Sequence, residues 1–402
     1  MPSPLVLFAA CQPGLEPLLA GELRGLGIGA TEQRGGCAFE GDLATVMRAG
    51  LWLGTASHVL VRIAEFRCRA LGELQRKAAD LPWRDWLRPG IALEVDATTR
   101  ASRVYHTRGA AERVAAAIAK ALGSAPPAAT ADDEMVARVH VRFRDDVCTL
   151  SLDATSTPLH RRGYRLDARK APLREDLAHA LVLASTWRPG EALLDPFCGS
   201  GTIAIEAAGL ALGLAPGRLR PPPLQHLRAF DADTWENVRR ETHGTPAASP
   251  IAGSDRDEGA VGAARANADR AGVAATITWL ARAISAQPWL QRQGTPPAGV
   301  LATNPPFGVR VAKSGGLLPL YQTLGHRAAA LGDGWRVAML VHDVRLARRT
   351  GLPLRPAFTT RHGGLAVTAM CGRASAVRSD AATPLAPASQ THTLLPPRND
   401  SP

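Results

Sequence analysis

The residues best suited to chemistry lie in two short turns, at positions 195–202 and 304–307. The first turn has the sequence DPFCGSGT; it follows the apolar run ALL and precedes an Ala-rich stretch. Gly199 and Gly201 let the backbone approach a ligand at distances where a Cβ atom would collide. Asp195 would repel a pyrophosphate and instead favours a cationic group, such as the amine of a methionine moiety. The first turn therefore favours S-adenosylmethionine over NAD as a cofactor.

The next predicted strand, SPIAGSD, ends in a second carboxylate. In α/β sheets an acid at the end of the second strand hydrogen-bonds ribose hydroxyls. Asp255 is the first candidate for this contact and Asp257 is the second, although Asp257 could instead cap the following helix. The acid follows the glycine turn at a much longer interval than the about 20 residues of dinucleotide sites, which again disfavours NAD. The further residues expected in the cofactor site are Phe197, Ser200 and Thr202.

The second turn, Asn304-Pro305-Pro306-Phe307, suits methylation of an amino group on a nucleobase. An exocyclic base amine is a poor nucleophile because its lone pair is delocalised into the ring. The Asn304 side-chain oxygen and the Pro305 carbonyl can accept its two hydrogens and so stabilise the positive charge that develops on nitrogen. The two prolines stiffen the turn, and Phe307 offers a face on which the base can stack. The competing chemistry, attack by a cysteine on a pyrimidine carbon, would require a cysteine that this turn lacks.

Composition and charge point to a polyanionic partner. The chain has 402 residues and a net charge of +11, and each cation placed on a phosphate adds affinity by releasing counterions. We find no apolar run long enough to cross a membrane and no signal-peptide pattern, so we expect a cytoplasmic protein that contacts no membrane. The six cysteines occur singly, without a C-x-x-C pair, so we expect reduced thiols and no metal site.

The order of predicted elements divides the chain into two regions and a tail. In residues 1–160, strands and helices follow one another without a parallel βαβ rhythm, which indicates an α+β domain. In residues 161–373, units of strand, turn, helix and strand predict a doubly wound, mostly parallel α/β sheet. A Pro-rich stretch, APGRLRPPPLQHLRAF, is expected to leave this sheet. Residues 374–402 are rich in Ser, Ala, Pro and Thr, which is typical of a disordered tail.

The two turns together resemble those of the THUMP-domain RNA methyltransferases, especially the bacterial branch that acts on the guanine amine of large-subunit ribosomal RNA. The segments GLEPLLAGEL, GCAFEGD, HRRGYR and APLREDLA add to this resemblance, which covers most of the chain before the tail. It implies an α/β fold in which a ferredoxin-like plus THUMP RNA-binding module precedes a Rossmann-like class I methyltransferase domain. It also implies S-adenosylmethionine as cofactor and structured RNA as partner, with ribosomal RNA as first candidate and transfer RNA as second.

A basic segment, HRRGYRLDARKAPLRE, joins the two predicted regions. Its composition fits either a solvated linker or an RNA-contacting surface. The resemblance implies in addition that this segment leads into the cofactor pocket, with Pro172 near the methionine end. The residues expected to contact RNA are Arg161, Arg162, Arg165, Arg169 and Lys170.

One position departs from the pattern of the family. Related proteins carry an acid after the third strand, near the adenine of the cofactor, whereas this chain has Arg282-Ala283. A non-catalytic RNA-binding paralogue is therefore an alternative to an active enzyme. Methylation of an adenine amine, or of transfer RNA, is the other alternative, because the same turn also suits adenine. The sequence does not indicate an oligomeric state.

Overall fold

The computed structural model describes residues 4–131, 133, 135–166, 173–306 and 317–375. Four residues of the predicted sites lie outside these ranges: Arg169, Lys170, Pro172 and Phe307. The predicted tail beyond residue 375 lies outside them as well. The described residues form two large sheets, each with its own set of helices.

The first sheet belongs to the N-terminal part of the chain. Its strands, β1 to β7, are Leu5–Cys11, Ala30–Gln33, Gly36–Gly41, Ala56–Arg67, Ala92–Arg100, Val136–Arg144 and Val147–Asp153. The accompanying helices, α1 to α5, are Glu16–Gly25, Leu43–Trp52, Leu71–Ala79, Trp83–Trp86 and Thr107–Leu122.

The second sheet belongs to the C-terminal part. Its strands, β8 to β14, are Ala192–Asp195, Ile251–Asp255, Ile277–Ala281, Gly299–Thr303, Trp335–Val341, Arg355–His362 and Leu365–Arg373. The accompanying helices, α6 to α11, are Glu175–Ala184, Thr202–Ala211, Ala232–Arg240, Glu258–Arg270, Leu318–Ala329 and Val344–Arg348. Among the helices of the described residues, none is both long and apolar enough to cross a bilayer.

The N-terminal sheet has the strand order β2-β3-β1-β4-β7-β6-β5. Its pairs are antiparallel except for β5 and β6, which run parallel. β6 and β7 form a hairpin that is joined through Asp145 and Asp146, which both have positive φ (52° and 62°), as a two-residue turn of the I′ type requires. Side chains such as Leu7, Val61 and Val139 pack under the helices on one face. This region is α+β, as the sequence predicts.

The C-terminal sheet has the strand order β10-β9-β8-β11-β12-β14-β13. The strands from β10 to β12 are parallel, and β14 runs antiparallel to both of its neighbours. Every residue of the central strands β8 and β11 is buried, as expected for a sheet covered by helices on both faces. The predicted doubly wound, Rossmann-like arrangement is confirmed. The strand order reverses between β8 and β11, and ligands of such sheets bind at the carboxyl ends of the strands that flank this point.

The Pro-rich stretch leaves the C-terminal sheet, as predicted, and packs against the N-terminal module. The backbone N–H of Leu224 donates to the carbonyl of Ala154 at 2.7 Å, and that of Gly217 donates to Leu51 at 2.8 Å. Just beyond this stretch, Arg48 of α2 forms two hydrogen bonds of 2.6 Å with the carboxylate of Glu241. The excursion therefore fastens one module to the other.

A buried charged network lies where the two modules meet. His179 of α6 lies between two carboxylates, with Nδ1 3.0 Å from Glu206 and Nε2 3.2 Å from Glu22 of α1. Arg162 donates to the carbonyls of Leu159 at 2.7 Å and Gly54 at 2.5 Å, and it lies 3.4 Å from the Glu206 carboxylate. Because each charge has an opposite charge beside it, the network can remain ionised away from water.

This network corrects the prediction that Arg162 contacts RNA. The residue is only 2% exposed, and its guanidinium is directed at partners within the protein. Its charge balances Glu206 in the interface between the modules, so it is not available to a phosphate.

The network predicts a stability that depends on pH. Burial alone would lower the pKa of His179, but the hydrogen bonds and charges of Glu206 and Glu22 outweigh it and raise the pKa to about 9. A histidine has a pKa of about 6.5 in the unfolded chain, so this stabilisation is complete below about pH 6.5 and is lost as the pH rises through about 9. From pH 6.5 to 9, the wild type should lose on the order of 3 kcal/mol more unfolding free energy than His179→Gln.

Denaturant unfolding of both proteins at the two pH values checks this expectation. Other titrating groups are common to both proteins, so only the difference between the two pH profiles reports on His179. Identical pH profiles of the two proteins would contradict the raised pKa that we assign to His179.

Candidate cofactor and catalytic site

Three neighbouring strands bring the two predicted turns to one edge of the C-terminal sheet. In the parallel pairs, Asp195 at the end of β8 lies opposite Gly253 of β9, and Leu194 lies opposite Leu301 of β11. The last residue of β11, Thr303, donates its hydroxyl to the Asp195 carboxylate at 2.7 Å. The turn that begins at residue 304 therefore starts directly beside the turn that begins at residue 195.

Asp195 is a buried carboxylate that has no matching cation among the residues described in the structure. It is 1% exposed and accepts hydrogen bonds from Thr303 and, at 3.2 Å, from the backbone N–H of Phe197. Within the described part of the chain, no cationic side chain forms an ion pair with it. Burial raises the pKa of Asp195 to about 7, and the nearby charge of Asp255 contributes to the rise. An anion in such a place is costly unless it is paired, so the position suits a ligand that carries a positive charge.

The glycine turn is held by the acid at the end of the neighbouring strand. Gly199 N–H donates to one carboxylate oxygen of Asp255 at 3.1 Å, and Asp257 N–H donates to the other at 3.0 Å. Asp255 is half-buried, and each carboxylate oxygen keeps a free lone pair that could accept from a ribose hydroxyl. Asp257 is exposed and caps α9 by accepting from Ala260 N–H at 3.2 Å. Its alternative role as a helix cap is therefore present in the structure.

The turn ends at the start of α7. Gly199 and Gly201 have φ values of 52° and 86°, in the left-handed region that favours glycine. Ser200 and Thr202 are buried, and Thr202 opens α7, whose first backbone N–H groups have no partner inside the helix. Phe197 lies half-buried beside this turn.

The basic segment reaches the same turn through Arg165. This guanidinium donates to the Thr202 hydroxyl at 3.0 Å and to the carbonyl of Leu173 at 2.6 Å, and its Nε lies 3.2 Å from Glu175. These internal partners give Arg165 a role at the glycine turn, and its expected RNA contact stays a prediction. Arg161 is exposed and stays a candidate for RNA contact.

The second turn presents a buried hydrogen-bond acceptor, the side-chain oxygen of Asn304. Asn304 Oδ1 is buried and has no hydrogen-bond partner among the described residues. Pro305 is buried and Pro306 half-buried, which holds this part of the turn against the protein. A buried acceptor that lacks a partner costs free energy. The Asn304 oxygen is therefore a suitable place for an N–H group that a ligand supplies.

Sequence reasoning did not find the residues that support the first turn from α9. Asn267 donates its amide to the carbonyl of Ser200 at 3.1 Å and is fully buried. Arg270 donates to the Asn267 side-chain oxygen at 2.5 Å and to the carbonyl of Tyr164 at 2.8 Å. The signal that was present is the position of Asn267 on the buried stripe of α9, one turn after Ala264. A polar residue on such a stripe needs a partner.

A family model described as "RMKL-like, methyltransferase domain" matches residues 162–363, which is half of the chain. The chain belongs to this family. Models described as the RlmL ferredoxin-like domain and the THUMP domain match residues 6–60 and 68–153. The predicted combination of a ferredoxin-like plus THUMP module with a Rossmann-like methyltransferase domain is thereby confirmed. The boundaries 1–160 and 161–373 stay predictions.

Curated relatives are similar over nearly the whole chain. The ribosomal RNA large subunit methyltransferase K/L of Syntrophotalea carbinolica is 35% identical over 387 residues, covering 91% of this chain and 53% of the relative. The protein of the same name from Legionella pneumophila (strain Lens) is 31% identical over 400 residues, covering 97% and 56%. The chain thus spans about half the length of these relatives.

Solved structures share the fold along most of both chains. SMU.472, described as a methyltransferase complexed with SAH, is 27% identical with a TM-score of 0.81, covering 92% of this chain and 98% of that one. TrmN from Thermus thermophilus is 28% identical with a TM-score of 0.68, covering 91% and 98%. The part of this chain that the structure describes has no group of three or more His, Cys, Asp or Glu residues arranged to hold a metal ion.

The packing of β9 and α9, next to the glycine turn, predicts which of their glycines tolerates a side chain. A Cβ on Gly253 of β9 would lie 2.3 Å from the ring of Trp279 and 3.3 Å from the Cβ of Cys198. Gly253→Ala should therefore cost about 1–3 kcal/mol of unfolding free energy through overpacking. A Cβ on Gly262, within α9, would meet nothing within 4 Å. Gly262→Ala should instead stabilise the protein by about 0.5–1 kcal/mol. Urea unfolding of both variants measures the contrast, and equal effects would show that the Trp279 ring does not restrict this strand.

Proposed function

We propose that the chain is an S-adenosylmethionine-dependent RNA methyltransferase that acts on guanine N2 in large-subunit ribosomal RNA. One observation carries the proposal: at adjacent strand ends lie a buried carboxylate and a buried amide oxygen for which the described residues supply neither a cation nor a donor. Asp195 and Asn304 are these two groups, and the hydroxyl of Thr303 joins their strands. A sulfonium cofactor with a cationic amine and a base with an amino group would supply the two missing partners.

The residues around the first turn are suited to the cofactor. Asp195 would accept from the methionine amine, and Asp255 from the ribose hydroxyls, while the glycine turn leaves room for close approach. The cofactor would supply a methyl group on a positively charged sulfur, which is a good leaving group. Arg282 and Ala283 follow β10 and are exposed, so backbone groups rather than an acidic side chain would contact the adenine amine. The similar protein SMU.472 was crystallised with SAH, the demethylated product of this cofactor, which supports the same choice here.

The residues of the second turn are suited to the base. Asn304 Oδ1 and the Pro305 carbonyl would accept the two hydrogens of the exocyclic amine, which orients its lone pair towards the methyl group. Both acceptors strengthen as positive charge develops on nitrogen, so they stabilise the transition state more than the bound substrate. A target base held in a duplex could not reach this edge of the sheet and would have to leave its stack. Phe307 and Pro306 would contact the ring of the base.

Ribosomal RNA and guanine are the finer parts of the proposal. The names of the two curated relatives support ribosomal RNA of the large subunit, and the resemblance of the motifs supports guanine. The net charge of +11 fits an RNA partner and, with it, a cytoplasmic location. The test must distinguish the proposed substrate from two alternatives, transfer RNA and adenine amines.

The direct test is methyl transfer from tritiated cofactor to unmodified ribosomal RNA and, separately, to unmodified transfer RNA. We expect label in N2-methylguanosine after digestion of the ribosomal RNA. Label in an adenosine nucleoside, or in transfer RNA alone, would replace the substrate named here. No transfer to any RNA, despite bound cofactor, would favour a non-catalytic RNA-binding protein.

Removing the Asn304 side-chain oxygen should slow methyl transfer without lowering the affinity for the cofactor. Asn304→Ala is expected to lower kcat by about 10²–10³, because one preorganised transition-state acceptor is lost. Asn304→Asp keeps an oxygen in the same place and should lose less. Single-turnover kinetics with saturating RNA, together with calorimetry of cofactor binding, measure the two effects separately. An Asn304→Ala enzyme with wild-type turnover would remove this residue from the mechanism.

The buried acid predicts how cofactor affinity varies with pH. Burial raises the pKa of Asp195 to about 7 in the free protein, whereas the cationic amine binds the ionised form. The affinity should therefore increase as the pH rises to about 7, by up to about tenfold for each pH unit, and then become constant. Asp195→Asn should bind more weakly and lose this dependence. Calorimetric titrations between acidic and neutral pH measure both proteins, and parallel pH profiles would show that another group is responsible.

A further inference from the structure

Arg165 has hydrogen-bond donors at the glycine turn that no described residue accepts. The N–H groups of Nη2 donate to the Leu173 carbonyl at 2.6 Å and to the Thr202 hydroxyl at 3.0 Å. Those of Nη1 have no partner within the described ranges of the chain. The side chain is only 11% exposed, so these donors are held beside the turn and do not extend into solvent. A guanidinium that is fixed in this way loses little freedom when it binds an anion.

The acid beside Arg165 balances its charge incompletely. Nε lies 3.2 Å from a carboxylate oxygen of Glu175, yet the N–H of this nitrogen forms no hydrogen bond with any described residue. Burial raises the pKa of Glu175 to about 7, although the charge of Arg165 opposes the rise. A large fraction of Glu175 is therefore protonated at neutral pH, whereas the arginine stays charged. The pair leaves positive charge beside the turn.

Thr202 is oriented by the same guanidinium. Its hydroxyl accepts the hydrogen bond from Arg165, so its own proton is directed away from Arg165 and can be donated to another acceptor. Thr202 is buried and is the first residue of α7, where the backbone N–H groups lack partners inside the helix. These N–H groups carry partial positive charge, which also favours an anion. The hydroxyl, the helix start and the guanidinium are therefore all suited to one negatively charged group.

The opposite charge is required at the other end of the turn. Asp195 is 1% exposed, and in the part of the chain that the structure describes it forms no ion pair. The turn folds back on itself, since Gly201 N–H donates to the Cys198 carbonyl at 2.7 Å. A ligand that fills both places presents a cation to Asp195 and an anion to Arg165. An α-amino acid meets this requirement because its amine and carboxylate are attached to the same carbon.

Ligands with a single kind of charge fit the turn less well. A phosphate or a nucleoside diphosphate would pair with Arg165, but Asp195 would repel it. A polyamine would pair with Asp195 and leave Arg165 without an acceptor. The small exposed fraction of Arg165 also restricts access for the phosphate of a polymer. The combination of charges therefore selects a zwitterionic group.

We propose that Arg165 and Thr202 bind the carboxylate of the methionine moiety of the cofactor, while Asp195 binds its amine. This inference rests on the proposed function, in which S-adenosylmethionine is the cofactor, and it gives a partner to the negatively charged group of that molecule. A ligand without the carboxylate would leave the Arg165 donors and the Thr202 hydroxyl without their acceptor and would bind more weakly. The protein should therefore discriminate against decarboxylated forms of its cofactor.

The test compares two ligands that differ only in the carboxylate. SAH carries both the amine and the carboxylate, whereas decarboxylated SAH keeps the amine alone. Calorimetry measures the affinity of each ligand for the wild type, for Arg165→Gln and for the control Arg188→Gln. Arg188 is exposed and precedes β8 at the opposite edge of the sheet, so the control removes the same charge away from the turn. Thermal unfolding shows whether the variants are folded.

We expect the wild type to bind SAH about 10–100-fold more tightly than decarboxylated SAH, which is the usual contribution of a hydrogen bond to a charged group. Arg165→Gln should lose most of this ratio because it weakens the binding of SAH alone, and Arg188→Gln should keep it. An equal loss for both ligands in Arg165→Gln would show that Arg165 only supports the turn. Wild-type affinity of Arg165→Gln for SAH would show that the carboxylate binds elsewhere. Either result overturns the inference.

Thr202 provides an independent test, which also applies if Arg165→Gln does not fold. Thr202→Val keeps the shape of the side chain and removes the hydroxyl, whereas Thr202→Ser keeps the hydroxyl. Thr202→Val should lose about tenfold in affinity for SAH and little for decarboxylated SAH, and Thr202→Ser should bind both ligands like the wild type. Asp195→Asn should weaken both ligands alike, because both keep the amine. Equal SAH affinities of the two Thr202 variants would contradict the role of the hydroxyl.

Failure of this inference is separable from failure of the proposed function. If the wild type binds SAH and methylates ribosomal RNA, but Arg165→Gln keeps the wild-type ratio of affinities, only the inference is overturned. If the wild type binds neither ligand, the proposed function fails with it. An Arg165→Gln variant that binds both ligands like the wild type and loses affinity for ribosomal RNA would assign Arg165 to the RNA instead of the cofactor.

Discussion

The hydrogen bond between Thr303 and Asp195 fixes the position of the two turns relative to each other, on which the site depends. It joins the carboxyl ends of two parallel strands that are far apart in the sequence, at the point where the strand order reverses. A shift of one residue in this register would point Asp195 to the other face of the sheet and separate it from the turn at Asn304. The fully buried strands around it oppose such a shift, because each side chain occupies a fixed place in a close-packed core. The chemistry is therefore a consequence of the register.

The same helix serves the glycine turn and the contact between the modules. Thr202 opens α7 at the turn, and Glu206, one helical turn later, balances Arg162 and His179 where the modules meet. Removing one member of such a buried network leaves the others with an unpaired charge, which is costly. A change in how the N-terminal module sits would thus act on α7 itself. The orientation of the N-terminal module and the shape of the glycine turn are therefore linked through a single helix, α7.

The two turns could be predicted because their chemistry is local. A carboxylate, two glycines and an Ala-rich helix follow one another directly around Asp195, and the stiff turn at Asn304 is equally compact. The roles of Arg162 and Arg165 could not be predicted in the same way. In the sequence both belong to a basic run, yet Arg162 bonds the carbonyl of Gly54, 108 positions away, and Arg165 bonds Thr202, 37 positions away. Charge composition is visible in the sequence, whereas the burial that decides the partner of each charge comes from the packing of two modules.

The continuous N-terminal sheet also restricts how the parts of the chain sit relative to one another. Because β4 and β7 pair through their backbones, the ferredoxin-like and THUMP parts share one continuous sheet and cannot rotate independently. The turn between β1 and α1 also touches the C-terminal sheet, since a Cβ on Gly14 would meet the carbonyl of Thr359 of β13. The Pro-rich excursion adds further hydrogen bonds between the two modules. The N-terminal sheet and the two turns at the ends of β8 and β11 are therefore held at a fixed distance from each other by backbone contacts, so this distance is a property of the fold.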